Sequence, residues 1–320
     1  MMKRIQLSYL LFISFFLLFT SCKDQRVQDK NSPEKPYVFI LGIAQDAGYP
    51  QANCEKECCE RVYTDLSNRR MVSSIAIVDP ISNEEWIFDA TPDFTAQLKL
   101  LSTQVSERNN LPNGIFLTHA HIGHYTGIMY LGHEAMGGNK MPVYVMPKMK
   151  SFIEENGPWN QLVEKENVDL KELKKDSTIV LNKRISVTPI QVPHRDEYSE
   201  TVGYLIDVSK KKVLFIPDID KWSKWERSVV DYVKQVDIAL LDATFFKNGE
   251  INRDMNEVPH PFVEESMNLF KGLSEANKNK VHFIHFNHTN PLLIDGSEAH
   301  KMVTKNGFHV AKQGTAISLH

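Results

Sequence analysis

An excess of charge of either sign is the first thing this chain lacks. Its 37 Lys and Arg stand against 40 Asp and Glu, for a formal net charge of −3. No bulk field therefore draws it to nucleic acid or another polyanion. The basic runs it has, Lys174-Lys175 and Lys210-Lys211-Lys212, are short and sit beside acids, and they read as solvated turns or helix faces. Long apolar runs are also missing. Ile5 to Phe19 is almost wholly apolar, but it is short of the roughly 20 residues of a membrane span. Cysteine is scarce, with four in 320 residues. No internal repeat is present and no linker follows residue 36, so the body reads as a single domain over residues 37–320. At 42% hydrophobic and 24% charged, that body can build a large core and is not a disordered chain.

What is present begins with a leader. Lys3 and Arg4 precede the apolar stretch, and small or polar residues then lead to Cys22, the pattern of a secretory signal over residues 1–21. Leu18-Phe19-Thr20-Ser21-Cys22 resembles the lipobox of bacterial lipoproteins. That resemblance implies cleavage before Cys22, lipidation of its thiol, and an exported chain anchored to a membrane by acyl chains. Ordinary secretion with a free Cys22 is the competing reading. Residues 22–36 are polar, lack aromatics after the cysteine and end near Ser32-Pro33, as a flexible tether would. The remaining cysteines, Cys54, Cys58 and Cys59, are odd in number and clustered. They cannot all pair within one chain, which points to a metal site or a reactive thiol.

Strand-like runs recur at Tyr37 to Ile43, Ser73 to Val78, Trp86 to Phe88, Gly114 to Thr118, Val143 to Val145, Ile185 to Val192, Val202 to Val208, Val213 to Ile216, Ile238 to Leu241, Val281 to Phe286 and Ala316 to Leu319. Helical spacing covers Phe94 to Leu101, Thr126 to Met136, Pro147 to Glu155, Ser223 to Val233 and Pro261 to Leu273. Strands outnumber helices and often follow one another directly, unlike a doubly wound βαβ order. An α/β architecture of two mixed sheets with helices outside fits better.

The densest chemistry is His119-Ala120-His121-Ile122-Gly123-His124. It lies where a buried strand gives way to a helix. In extended chain His119 and His121 project to one side, and His124 returns after the turn. Three imidazoles so close can converge on one ion, and zinc is a preferred partner of imidazole. Further candidates, His194, Asp218 and His285, each sit where a strand runs out into a loop.

These residues resemble the metallo-β-lactamase superfamily, whose signature is T-H-x-H-x-D-H followed by a His, an Asp and a last His. The resemblance implies a four-layer αββα sandwich of two mixed sheets and a metal-dependent hydrolase with a small-molecule substrate. It implies one metal on His119, His121 and His194, a second on His124 and His285, and Asp218 as bridge and catalytic carboxylate. Asp89 matches the superfamily's early aspartate, which orients the histidine loop from behind. Gly123 stands where the signature has Asp, so the second site is expected to be weak, water-filled or empty, and Gly123→Asp is expected to raise its occupancy. Zinc is expected as one or two active-site ions, with manganese or iron as alternatives, and the reaction as attack by metal-bound hydroxide on a phosphoryl or acyl centre.

Leu41 to Gln51 with Asn53-Cys54 is similar to the opening of two branches, the pyrroloquinoline quinone biosynthesis protein B and the cyclic phosphodiesterase of phosphonate breakdown. The phosphodiesterase likeness implies a structural zinc on Cys54, Cys58, Cys59 and His288, which follows His285 by three residues. The cysteine spacing departs from the branch's C-x-C-x-x-C, with Lys56 at the middle position, and a disulfide from Cys54 to Cys58 or Cys59 competes. The same likeness places His260 as proton donor to the leaving group; a surface loop histidine is the bland alternative. Two other functions remain open: a quinone-pathway enzyme or carrier, and a non-catalytic metal-binding protein. Trp222 and Trp225 either line a mouth or pack a helix. The sequence sets no oligomeric state.

Overall fold

The computed structural model describes residues 35–104 and 111–319. The leader, the tether and Cys22 lie outside the described residues. Fourteen strands form along the described chain: β1 Tyr37–Gly42, β2 Ser74–Asp79, β3 Glu84–Phe88, β4 Gly114–Phe116, β5 Met141–Val145, β6 Val168–Glu172, β7 Ile179–Val180, β8 Ile185–Gln191, β9 Val202–Val208, β10 Lys211–Ile216, β11 Ile238–Asp242, β12 Val281–Ile284, β13 His309–Val310 and β14 Ala316–Ser318. They assemble into two seven-stranded sheets, in the orders β14-β1-β2-β3-β4-β5-β6 and β13-β12-β11-β10-β9-β8-β7.

Each sheet is mixed in the same way. In the first, β14, β1, β2 and β3 pair antiparallel, and β3 to β6 pair parallel. In the second, β7 to β10 pair antiparallel and β10 to β13 parallel. The parallel halves need helical crossovers, which is where the helices sit.

Side-chain alternation sorts the first sheet into two faces. Val38, Ile40, Ile75, Ile77, Phe88 and Phe116 join one core with Val187, Tyr204, Phe215 and Leu240 of the second sheet. Phe39, Leu41, Ala76, Ile87, Ile115 and Val143 face the other way, onto the helices Phe94–Gln104, Pro147–Glu155 and Asn160–Glu164. The inter-sheet layer is aromatic where it nears the histidines: Phe88 meets Tyr204 edge-on at 5.3 Å between ring centroids, and Phe116 meets Tyr204 at 5.5 Å. Two hydrogen bonds stitch the sheets together here, from the Tyr204 hydroxyl to the Leu117 carbonyl and from the Val202 amide to the Thr118 carbonyl. The expected αββα sandwich is the observed fold.

Two helices differ from the pattern reading. The segment after the histidines is a short helix, Ile122–Tyr125, continued as 3₁₀ turns through Thr126–Leu131, and it stops at Gly132 rather than running to Met136. The helix expected from Ser223 breaks at Trp225, whose backbone is extended. It restarts as Val229–Gln235 with Ser228 as its cap, the Ser228 Oγ accepting from the Asp231 amide. Trp225 is buried, stacked on Tyr232, and its indole N–H donates to the Gln191 carbonyl; it packs the fold. The strand β6 and the helix Glu298–Lys305 had no expectation.

Candidate metal centre

All the residues singled out around the histidine motif meet at one end of the two sheets. Within the first sheet β1, β3 and β4 run in one direction, and within the second β8, β10, β11 and β12 do, as their pairings require. Each delivers a polar side chain just past its last residues: Asp46, Asp89, His119 to His124, His194, Asp218, Asp242 and His285. Ligands gather at the carboxyl ends of aligned strands because the loops there are free to carry polar groups while the strands stay apolar.

Asp218 is the hub. Its Oδ2 lies 3.3 Å from His119 Nε2, 3.2 Å from His194 Nε2, 3.8 Å from His121 Nδ1 and 3.9 Å from His124 Nε2. His119, His121, His194 and Asp218 form one set of atoms close enough to share an ion, and Asp46, His124, Asp218 and His285 form a second. Asp218 belongs to both sets.

Four of the imidazoles, His119, His124, His194 and His285, are fixed from behind. The Asp89 carboxylate takes Nδ1 of His124 at 2.7 Å, the Thr118 amide at 2.8 Å and the Thr118 hydroxyl at 3.0 Å. Thr118 Oγ1 in turn meets His119 Nδ1 at 2.9 Å. His194 Nδ1 faces Asp220 at 3.2 Å, and His285 Nδ1 faces the Thr244 hydroxyl at 3.0 Å. Such partners choose the tautomer and turn the remaining nitrogen inward. Asp89 and His285 both hold left-handed backbone, at φ 70° and 71°. That conformation is costly for a side-chain-bearing residue and concentrates where geometry is imposed by function.

Five of the inward atoms have no hydrogen-bond partner. His119 Nε2, His121 Nδ1, His194 Nε2, Asp218 Oδ1 and Asp46 Oδ1 are buried and unsatisfied. They lie close to one another yet do not bond to one another; a cation in their midst would satisfy them all. The donor set, neutral imidazole plus carboxylate, suits zinc.

The charges agree. Burial alone disfavours ionised Asp218, but the flanking His194 and His260 hold its carboxyl well below the usual range. Burial likewise opposes a charge on His194, but Asp218 and Asp220 outweigh it and lift its pKa to about 9. For His119, burial and the charge on His124 outweigh Asp218 and hold its pKa well below the usual range. A site that gathers protons to neutralise its carboxylates would exchange them for a metal.

His260 joins the centre from the loop before the helix Val263–Leu269. Its Nδ1 lies 2.9 Å from Asp242 Oδ2 and 3.1 Å from Asp218 Oδ1. It is buried, so the surface-loop alternative fails. Burial opposes its protonation, yet Asp242 and Asp218 raise its pKa to about 10.

Several participants had not been singled out from the sequence. Asp242 and Thr244 back His260 and His285 as Asp89 and Thr118 back His124 and His119, with Asp242 Oδ1 accepting the Thr244 amide and hydroxyl. The signal was present: Leu240-Leu241-Asp242 ends an apolar strand on an acid, as Phe88-Asp89 does. Asp46 was also missed, and it corrects the expectation for Gly123. The space that a side chain at 123 would fill is already taken by Asp46.

A second cluster lies beside the centre. Cys54, Cys58, Cys59 and His288 bring their ligand atoms together. The three cysteines are free thiols, with Cys54 and Cys58 Sγ 3.9 Å apart, so the disulfide alternative is not what forms. His288 Nδ1 is buried without a partner.

With this geometry in place, the similarities to known proteins can be weighed. The chain is 23% identical over 313 residues to Coenzyme PQQ synthesis protein B of Methylorubrum extorquens (strain PA1), covering 88% of this chain and 100% of that protein. The zinc-bound crystal structure of PqqB from Methylobacterium extorquens superposes with a TM-score of 0.74 at 23% identity, over 88% of this chain and 100% of the other. A diphosphatase of the PhnP family superposes with a TM-score of 0.61 at 19% identity, over 88% and 96%. Residues 85–286 match the family model described as Beta-lactamase superfamily domain, and this stretch spans β3 to the start of the last histidine loop. The chain belongs to the beta-lactamase superfamily.

Proposed function

We propose that the chain is a metal-dependent hydrolase acting on a phosphodiester or related ester of a small molecule. The observation that carries this reading is the set of buried, unpartnered nitrogens and carboxylate oxygens turned into one space around Asp218. A divalent ion held by these residues supplies Lewis acidity and an activated water. His119, His121 and His194 would hold it on one side of Asp218, and His124 and His285 on the other. Asp218 lies between both sets and, against its burial, keeps its carboxylate charge through the flanking His194 and His260. His260, with Nδ1 held between Asp242 and Asp218, is positioned to hold a proton at neutral pH and give it up from the other ring nitrogen to a leaving oxygen. The PhnP-family neighbour, a diphosphatase, supports the phosphoryl preference. A reading as a cofactor-pathway protein draws on the full-length likeness to PQQ synthesis protein B.

The test is a panel of phosphodiesters, diphosphates, lactones and thioesters, offered to zinc- and manganese-loaded protein. Turnover that chelation removes and Asp218→Asn abolishes is expected. Full metal loading with no turnover on any of them would leave the cofactor-pathway or binding reading.

Cys54, Cys58, Cys59 and His288 are proposed to hold a structural zinc, which joins the loop after β1 to the loop after β12. Zinc remaining after Asp218→Asn would support it; none remaining would remove it. Export and lipid anchoring at Cys22 also stand as proposals. Mass spectrometry of the membrane-extracted chain should find Cys22 as an acylated N-terminus, and an intact leader would contradict that.

A further inference from the structure

Gly123 and Asp46 occupy one another's space. A Cβ built on Gly123 would lie 2.4 Å from Asp46 Cα, 2.6 Å from its Oδ1 and 3.0 Å from its Cβ. Backbone atoms of Asp46 are among those struck, so no rotation of a side chain relieves the clash. Only glycine leaves room here, and what fills the room is a carboxylate.

That carboxylate is aimed. Asp46 Oδ1 lies 3.0 Å from His124 Nε2 and 3.6 Å from His285 Nε2, and the two Nε2 atoms are 3.2 Å apart. Oδ1 is buried and has no partner in hydrogen-bonding geometry. His124 is already fixed at Nδ1 by Asp89 and His285 at Nδ1 by Thr244, so three donor atoms face one point with Asp218 closing the set.

The loop that carries Asp46 is pinned to the strand end that carries His285. Ala44 bridges both Val72 and Phe286. The Gln45 amide donates to the Phe286 carbonyl at 2.8 Å, and Gln45 Oε1 accepts from Asn287 Nδ2 at 2.7 Å. A turn then closes from the Gly48 amide to the Gln45 carbonyl at 2.8 Å. Asp46 is therefore held in place before any ion arrives, which is what a ligand needs to bind tightly.

We propose that Asp46 is the carboxylate ligand of the second metal position, supplied by the loop after β1 in place of the aspartate absent at residue 123, and that Gly123 is glycine to admit it. The second position then has Asp46, His124, His285 and the shared Asp218, and the centre is binuclear. Superfamily members with this glycine and an acid in the first loop would share the exchange.

The inference rests on the metal-centre reading above, and its test reads metal content so that it can fail while the hydrolase reading stands. The full chain is stripped with chelator, titrated with zinc against a chromophoric chelator, and counted by elemental analysis. Wild type should take two ions at the centre besides any in the cysteine cluster. Asp46→Asn, which keeps the side chain's size, should lose one ion, with affinity at that position down at least about 100-fold, while the ion at His119, His121 and His194 remains and shows that the fold is intact. Gly123→Asp alone should lose the same ion through the clash. The exchanged double variant Asp46→Gly with Gly123→Asp should not regain it, because the Cα of residue 46 still lies 2.4 Å from the new Cβ. Unchanged stoichiometry and affinity in Asp46→Asn would overturn the proposal, as would a gain of occupancy in Gly123→Asp alone.

Discussion

The histidine–aspartate centre and the cysteine cluster share two stretches of chain, residues 43–59 and 284–290, yet they hold their ligands in opposite ways. In the centre, four of the five ligand imidazoles have an anchored outer nitrogen, with Asp89 behind His124, Thr118 behind His119, Asp220 behind His194 and Thr244 behind His285, while His121 Nε2 has only Glu197 at 3.8 Å. In the cluster, Cys54 and Cys58 are only half-buried, and the backing of Cys59 is one long contact from the Gln51 amide to Sγ, 3.4 Å. Burial, with the neighbouring thiols, pushes Cys59 up to about 12 against that amide's pull. The centre is formed in advance. The cluster's order would come from the ion that deprotonates it. A preformed site suits chemistry, where ligands must not move; a site organised by its ion suits the joining of two loops.

The sharpest way to separate the two is to remove the hub. Asp218→Asn should empty both positions of the centre and lower turnover more than about 100-fold, while the cysteine cluster keeps its zinc. Metal analysis and hydrolysis rates measured together check this. Loss of all zinc would remove the structural site at the cysteines.

Breaking the cluster should do the reverse. Cys59→Ser should release one ion and a few kcal/mol of stability, lowering Tm by on the order of 6–10 °C. The centre should lose affinity only through loosening of the loop that bears Asp46. An unchanged Tm by calorimetry would mean that the cluster joins nothing.

Smaller effects sharpen the contrast within the centre. Asp89→Asn leaves every ligand in place but weakens the hold on His124 Nδ1. Zinc affinity at the second position should fall about 10–100-fold, with the first position little changed. Equal losses at both positions would mean that Asp89 acts on the fold rather than on His124.

The smallest effect concerns imidazoles placed together without such backing. His282 stacks on His309 at 4.6 Å, and burial, with His309 beside it, lowers its pKa to about 3; in the centre carboxylates lift His194 to about 9 and His260 to about 10. The unfolded chain therefore binds the His282 proton first. Its contribution to stability is present above about pH 6.5 and is lost as pH falls toward 3. His282→Gln should flatten the dependence of unfolding free energy on pH in that window, as read from denaturant titrations; an unaltered slope would show that His282 is already charged in the fold.

The parts of this centre that were legible in the sequence share one property: each lies directly after a buried strand. His119 to His124, His194, Asp218 and His285 could be found that way, and so could Asp89. Asp242 obeyed the same rule and was passed over because it is not an imidazole and stood in no motif. Asp46 could not be read from periodicity at all. It sits in a turn, far from Gly123 along the chain, and tertiary contacts bring it there, the Ala44 bridges to Val72 and Phe286 and the hydrogen bonds of Gln45 to Phe286 and Asn287. The two-sheet architecture was visible in the strand runs. The break at Trp225 was not, because Tyr232 and the Gln191 carbonyl that pull the indole inward are tertiary partners that override a helical pattern.

The most direct measurement is anomalous diffraction at the zinc edge from crystals of the zinc-loaded chain. Two peaks are predicted in the centre, one enclosed by His119, His121, His194 and Asp218, the other by Asp46, His124, His285 and Asp218. A centre without a peak, or a second peak ligated by His124 and His285 with Asp46 turned away, would contradict the account.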